Sequence, residues 1–149
     1  MGRLVTMKRV KAHFLVAMAL VMAVGGVGVL QSAPVEAATD FKGLCGKGYK
    51  HKKSQKFKYG KVIVFTKQKG KKTDWCAFTK RTGKAKGVAG KTFVRLIPCY
   101  TGCNPHDDSG KYKYYAGPVK WNNKQYIRAG GHVKYDGKTY YSLGMELAN

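Results

Sequence analysis

The chain has 149 residues, 44% of them hydrophobic, with 29 Lys and Arg against 7 Asp and Glu and a formal net charge of +22. That length suits one domain with a modest core and argues against a multidomain machine. Lysine supplies most of the charge, and its hydrated point-like ammonium suits arrays of phosphate or carboxylate better than base-specific readout.

In chain order, residues 1–37 read as a bacterial secretion signal. Arg3, Lys8, Arg9 and Lys11 form a positive start, residues 14–30 are an uncharged apolar run, and Val35-Glu36-Ala37 offers small residues to a signal peptidase. The run is short for a membrane anchor, which needs about twenty apolar residues. The expectation is a cleaved signal over 1–37, a single secreted β domain over 38–149, and no stable membrane span after cleavage. The domain then carries 25 basic and 6 acidic residues, a net charge of +19.

The remaining sequence predicts an all-β fold, a small antiparallel sandwich or barrel-like domain. Residues 38–42 read as a loose tail. Residues 61–66 (KVIVFT) are apolar on both faces, as in a central strand, and residues 75–79 (WCAFT) and 92–97 (TFVRLI) follow as further strands. Residues 111–115 alternate Lys and Tyr. Asn122-Asn123 predicts a two-residue hairpin with Trp121 opposite Lys124 and Val119 opposite Tyr126. Asp136-Gly137 predicts another, with Tyr135 opposite Lys138 and Val133 opposite Tyr140. The tyrosines 112, 114, 115, 126, 140 and 141 read chiefly as core, with Trp121 as an exposed ring at a turn.

Four cysteines follow the signal: Cys45, Cys76, Cys99 and Cys103. An even count outside the cytosol favours disulfides, and three pairings are open. The favoured one joins Cys45 to Cys76 and Cys99 to Cys103. The first would fasten the N-terminal arm to a core strand, contributing roughly 3 kcal/mol. Zinc at Cys99 and Cys103 with His106 and Asp107 is disfavoured for want of a second close pair. No metal or cofactor is expected.

The bases fall in three groups. Lys47, Lys50, Lys52 and Lys53 belong to the first, with Lys56 and Lys58. Lys67, Lys69, Lys71 and Lys72 read as a loop, and Lys80, Arg81, Lys84 and Lys86 flank a glycine-rich loop. They are the expected polyanion-binding residues, displayed on mobile loops at strand ends. The only compact titratable cluster is His106-Asp107-Asp108 beside Ser109, where one imidazole has carboxylate neighbours for general-base work. Turn-forming neighbours make a polar loop the better reading, so no catalytic residue is assigned. His132 reads as a half-buried strand histidine.

Several fragments together resemble the spore-associated protein A family of small exported proteins. Cys45-Gly46-Lys47-Gly48-Tyr49 is similar to its opening motif, and Trp75-Cys76-Ala77-Phe78-Thr79 to its cysteine-bearing strand. Asp108-Ser109-Gly110-Lys111-Tyr112-Lys113-Tyr114-Tyr115-Ala116-Gly117-Pro118-Val119 resembles a family segment ending Tyr-Ala-Gly-Pro-Val, and Gly130-Gly131 a later Gly-Gly. Tyr126 and Ala129 depart from it where the family carries cysteine and tryptophan, and Cys99 and Cys103 are additions. The resemblance implies an exported, disulfide-bonded β domain of the cell or spore surface, with no catalytic residues. The function expected is a secreted, cationic, non-catalytic surface protein that binds anionic envelope or spore-surface polymer, with extracellular nucleic acid among the candidates. The alternatives are a small secreted nuclease or hydrolase and a cationic antimicrobial or toxin.

Overall fold

The computed structural model describes residues 40–98, 104–122 and 126–148. Short strands rich in Val, Ile, Phe, Thr and Tyr pair into two antiparallel sheets, and the all-β sandwich expected from the sequence is what forms. A short helix α1 (Phe41–Cys45) precedes β1 (Lys50–Phe57), β2 (Gly60–Lys69), β3 (Lys72–Arg81), β4 (Gly90–Ile97) and β5 (His106–Tyr112). Then come β6 (Tyr115–Trp121), β7 (Tyr126–Tyr135), β8 (Lys138–Tyr141) and β9 (Met145–Ala148). The first sheet has the order β1-β2-β3-β6. The second has the order β5-β4-β7-β8, with β9 also on β7.

Alternation decides what each face meets. On the inner face of the first sheet, Val62, Val64, Trp75, Ala77, Ala116 and Val119 are buried against Val94, Leu96, Ile127, Ala129, Met145 and Leu147 of the second. The outer face of the first sheet is apolar too, at Ile63, Phe65, Cys76 and Phe78, and the N-terminal arm covers it with Phe41, Cys45 and Tyr49. Phe41 lies 5.0 Å from Phe78 and 5.2 Å from Tyr115 between ring centroids, so this part of the expected loose tail is packed. The Cys45–Cys76 disulfide pins the arm there, with its Cα atoms 5.9 Å apart. Cys99 and Cys103 lie outside the described residues, as do residues 1–39, on which the expected signal falls.

The Asp136-Gly137 hairpin forms with the expected register, Tyr135 against Lys138 and Val133 against Tyr140. Asp136 and Gly137 take φ of 50° and 71°, the twist that two-residue hairpins require. The Asn122-Asn123 expectation is corrected. β6 pairs with β3 and β7 with β4, so the chain crosses between sheets there instead of folding back on itself. Trp121 consequently stands opposite Trp75 and packs half-buried on the core. The alternating segment 111–115 is also split, because β5 ends at Tyr112 and β6, in the other sheet, begins at Tyr115.

Arg81 clamps one end of the sandwich. It is fully buried at the end of β3. Its Nε donates to the Ala85 carbonyl (3.0 Å), Nη1 to the Gly90 carbonyl (3.2 Å) and Thr92 Oγ1 (2.8 Å), and Nη2 to the Lys134 carbonyl (3.1 Å). One guanidinium thereby joins β3 to β4 and β7 of the opposite sheet. Gly90 makes room for it: a Cβ there would lie 2.6 Å from the Lys134 carbonyl oxygen and 2.9 Å from Arg81 Nη2. Arg81→Ala should lower unfolding stability by about 3 kcal/mol or more, because it strands buried acceptors and opens a cavity. Arg81→Lys should recover less than half of that, since an ammonium cannot span the fork. Urea unfolding of the three proteins measures both effects.

Thr79 Oγ1 is buried between the sheets without a hydrogen-bond partner among the described residues. A Cβ at Gly131 would collide with that hydroxyl and approach the Phe93 carbonyl oxygen to 2.6 Å. Thr79→Val replaces an unsatisfied hydroxyl with a methyl of similar shape, so the midpoint of thermal unfolding should rise, by the equivalent of roughly 1 kcal/mol. A fall in midpoint would refute the assignment of this hydroxyl as unsatisfied.

Candidate polyanion interface

The expected mobile loops are largely strands. Lys50, Lys52 and Lys53 lie in edge strand β1, with an irregularity in pairing between His51 and Lys53. Lys67 and Lys69 close β2 and Lys72 opens β3 around a tight turn, leaving Lys71 alone in the turn itself. The register opposes Lys50 to Thr66, so these residues gather at the end of the first sheet where β2 turns into β3. Lys47 is exposed in the turn before β1. Lys84, in the 3-10 turn Gly83–Ala85, and Lys86 sit past the opposite end of β3, roughly 30 Å away by strand rise. The three groups therefore do not meet in one loop cluster.

Arg81 leaves the set of anion-binding residues altogether. Its guanidinium is enclosed by protein carbonyls and Thr92, and burial draws its pKa below the ordinary value. Lys69 is tied to buried Asp74 at 2.7 Å, and Lys67 faces the same carboxylate's strand position while its stem runs past Gly48.

What the pairing does bring together is a row the sequence does not announce. Lys56 of β1 stands opposite Lys61 of β2, Lys61 opposite Lys80 of β3, and Lys80 opposite Tyr115 of β6. Their parity matches Ile63 and Phe78, so all three rise from the outer face of the first sheet. Adjacent strands are about 4.8 Å apart, which spaces the three stems across about 10 Å. Lys80 Nζ lies 5.6 Å from the Phe41 ring centroid, its stem lying along the apolar cover. Among the described residues none of the three has a carboxylate partner. Lys56 and Lys61 were hard to see because β1 (KHKKSQKF) lacks the apolar alternation that marks a strand. The two-residue turn at Lys58-Tyr59, with Tyr59 at a φ of 63°, sets Lys56 against Lys61 without any of the usual turn residues at its centre.

Most of the acidic residues are committed elsewhere. Asp107 accepts from Arg95 Nη2 at 2.7 Å, and Glu146 lies 3.7 Å from Arg128 Nε. Asp108 accepts from the Tyr112 hydroxyl and the Gly117 amide, both at 2.6 Å, tying β5 to β6. His106 stands edge-on to Trp121, with ring centroids 3.7 Å apart. Strand alternation turns Asp107 away from it, so His106, Asp107 and Asp108 do not converge. Among the described residues no three His, Cys, Asp or Glu side chains gather to hold a metal, and no helix is long and apolar enough to cross a membrane.

On the outer face of the second sheet, His132 stacks on Phe93 at 4.9 Å and meets Tyr141 edge-on at 5.5 Å. Burial first, then the charge of Lys91, lowers its pKa from 6.5. Comparison with known proteins finds no matching family model, no similar curated protein and no similar solved structure.

Two pH effects follow. The hydrogen bond to Asp108, then burial and the carboxylate charge, push the Tyr112 phenol from 10.0 up to about 12. The folded state holds that proton more tightly, so its contribution is complete below pH 10.0 and vanishes as pH rises toward about 12. Tyr112→Phe should cost roughly 1 kcal/mol at neutral pH and remove a phenol that titrates near pH 12 from an alkaline absorbance titration. His132 has the opposite sense: the unfolded chain takes the proton first, so stability falls as pH drops below 6.5 until the folded-state value is passed. His132→Gln should flatten that loss in urea titrations compared between about pH 8 and about pH 5.

Proposed function

We propose that this chain is an exported, non-catalytic binding protein of the cell or spore surface that adheres to anionic polymer. The observation that carries the reading is the register of Lys56, Lys61 and Lys80. Like charges set directly opposite on neighbouring strands cost each pair a few tenths to about 1 kcal/mol. A strand of phosphates or carboxylates laid across them replaces that repulsion with attraction and releases its own counterions. The exposed Lys58, in the turn between β1 and β2, adds to the basic field at this end of the sheet. The resemblance to the spore-associated protein A family supports the surface location and the lack of catalytic residues.

The β1 lysines also serve a humbler purpose, since charges on an edge strand keep a second chain from adding to the sheet. Edge protection does not account for Lys61 and Lys80, which lie on interior strands. The test is binding to duplex DNA, as a polyanion of known charge density, over a salt series. The triple variant Lys56→Gln, Lys61→Gln, Lys80→Gln should flatten the slope of log affinity against log salt by about 3, close to 0.9 per lost phosphate contact. The control triple Lys71→Gln, Lys111→Gln, Lys138→Gln, away from the row, should flatten it by less than about 1. Equal flattening by both triples would mean a diffuse halo of charge and sink the row as the contact.

A further inference from the structure

The second sheet carries a different surface on its outer face, and it does not depend on the polymer reading. Two of the three arginines that follow residue 37 stand there, Arg95 on β4 and Arg128 on β7. Between them Gly130, opposite Arg95, leaves a bare stretch of backbone. The nearest atom to a Cβ built at Gly130 is the Gly144 Cα, 3.9 Å away. The result is a groove of about 320 Å³, bounded by Arg95, Arg128, His132, Tyr141 and Gly144 over the Gly130 floor. A neighbouring fastening closes one side: Ser142 donates to Gln55 of the first sheet.

The walls specify a chemistry. Phe93 is covered on one side by the Arg95 guanidinium at 4.8 Å and stacked against His132 at 4.9 Å, so neither ring is free to sandwich a flat base. Tyr141, 64% exposed, is the remaining aromatic platform. One ring platform beside a polar fork suits the apolar face of a pyranose, with its hydroxyls turned to backbone and solvent. Arg95 gives both Nε and Nη2 to a single oxygen of Asp107, at 3.2 and 2.7 Å. That leaves its Nη1 without a partner among the described residues. A guanidinium edge held in place by a carboxylate is pre-oriented for a second carboxylate.

We propose that the groove over Gly130 binds one acidic sugar unit, a pyranose bearing a carboxylate, with the ring against Tyr141 and the anion on Arg95. Arg128, with Glu146 beside its Nε across β7 and β9, forms the far wall and limits the length of what enters. The volume accommodates one ring with room for a glycosidic substituent and is too small for a folded polymer segment.

The experiment is a two-dimensional amide NMR titration of the whole secreted protein with glucuronate, glucose, glucose 1-phosphate and acetate. Glucuronate should give saturable shifts centred on Gly130, His132 and Gly144, while glucose and acetate give at most a tenth of the affinity. Tyr141→Ala and Arg95→Gln should each weaken glucuronate at least fivefold, and Gly130→Val should abolish binding by filling the floor. Equal response to acetate would reduce the site to a plain anion contact and overturn the sugar assignment; preference for glucose 1-phosphate would overturn the carboxylate. Shifts centred on Lys56, Lys61 and Lys80 instead would overturn the location. The Lys56, Lys61, Lys80 triple variant should keep full glucuronate affinity, so loss of polymer adhesion and loss of this site are read separately. Tyr141→Phe, which retains the ring, should bind nearly as well as the unmodified protein; failure of Tyr141→Ala alone to weaken binding would overturn the platform.

Discussion

A buried guanidinium with only neutral acceptors around it is the constraint on which this sandwich turns. Arg81 has no carboxylate partner among its bonded neighbours, yet its donors reach four acceptors on the opposite sheet and the intervening turn. Desolvating that charge is costly, and only near-complete hydrogen bonding offsets it. The geometry therefore fixes how closely β3, β4 and β7 approach at that end. Gly90 has to stay small, and the 3-10 turn Gly83–Ala85 has to present the Ala85 carbonyl to the guanidinium. With that end locked, the inner faces mesh over Val62, Val64, Val94 and Leu96, and their alternate neighbours are sent outward.

Those outward residues divide the molecule chemically. The first sheet turns out lysines and apolar rings, and the rings are sealed by the N-terminal arm. The second turns out arginine, histidine, phenylalanine and glycine around a groove that no other described residue seals. Four of the six carboxylates after residue 37 hold structure: Asp74 on Lys69, Asp107 on Arg95, Asp108 on Tyr112 and Gly117, Glu146 on Arg128. A scarce negative charge used to orient side chains leaves the lysine row unneutralised.

Local chemistry was legible in the sequence and long-range partnership was not. Asp136-Gly137 fixed its own register because both φ angles are demanded within two residues. Asn122-Asn123 carried a turn signal of similar kind, but such a signal marks a change of direction without saying which sheet receives the next strand. The Cys45–Cys76 bond could be anticipated from spacing and from the apolar strand around Cys76. Arg81 was misread with its basic neighbours because nothing in the local sequence distinguishes a buried cation from an exposed one. β1 was read as loop since its stability comes from pairing with β2 at an edge, where no apolar alternation is needed. Lys56 and Lys61 were therefore missed as partners, and the groove over Gly130 was invisible until β4, β7 and the segment after β8 were brought side by side.

The disulfide to Cys76 decides whether one apolar face of the first sheet stays covered. Ile63, Phe65 and Phe78 are shielded by an arm whose five-residue helix is too short to hold its shape alone. Until an oxidant has closed that bond, the arm can peel back and leave a greasy patch bordered by lysines. The covalent bond and the ring contacts of Phe41 together keep that apolar face out of water.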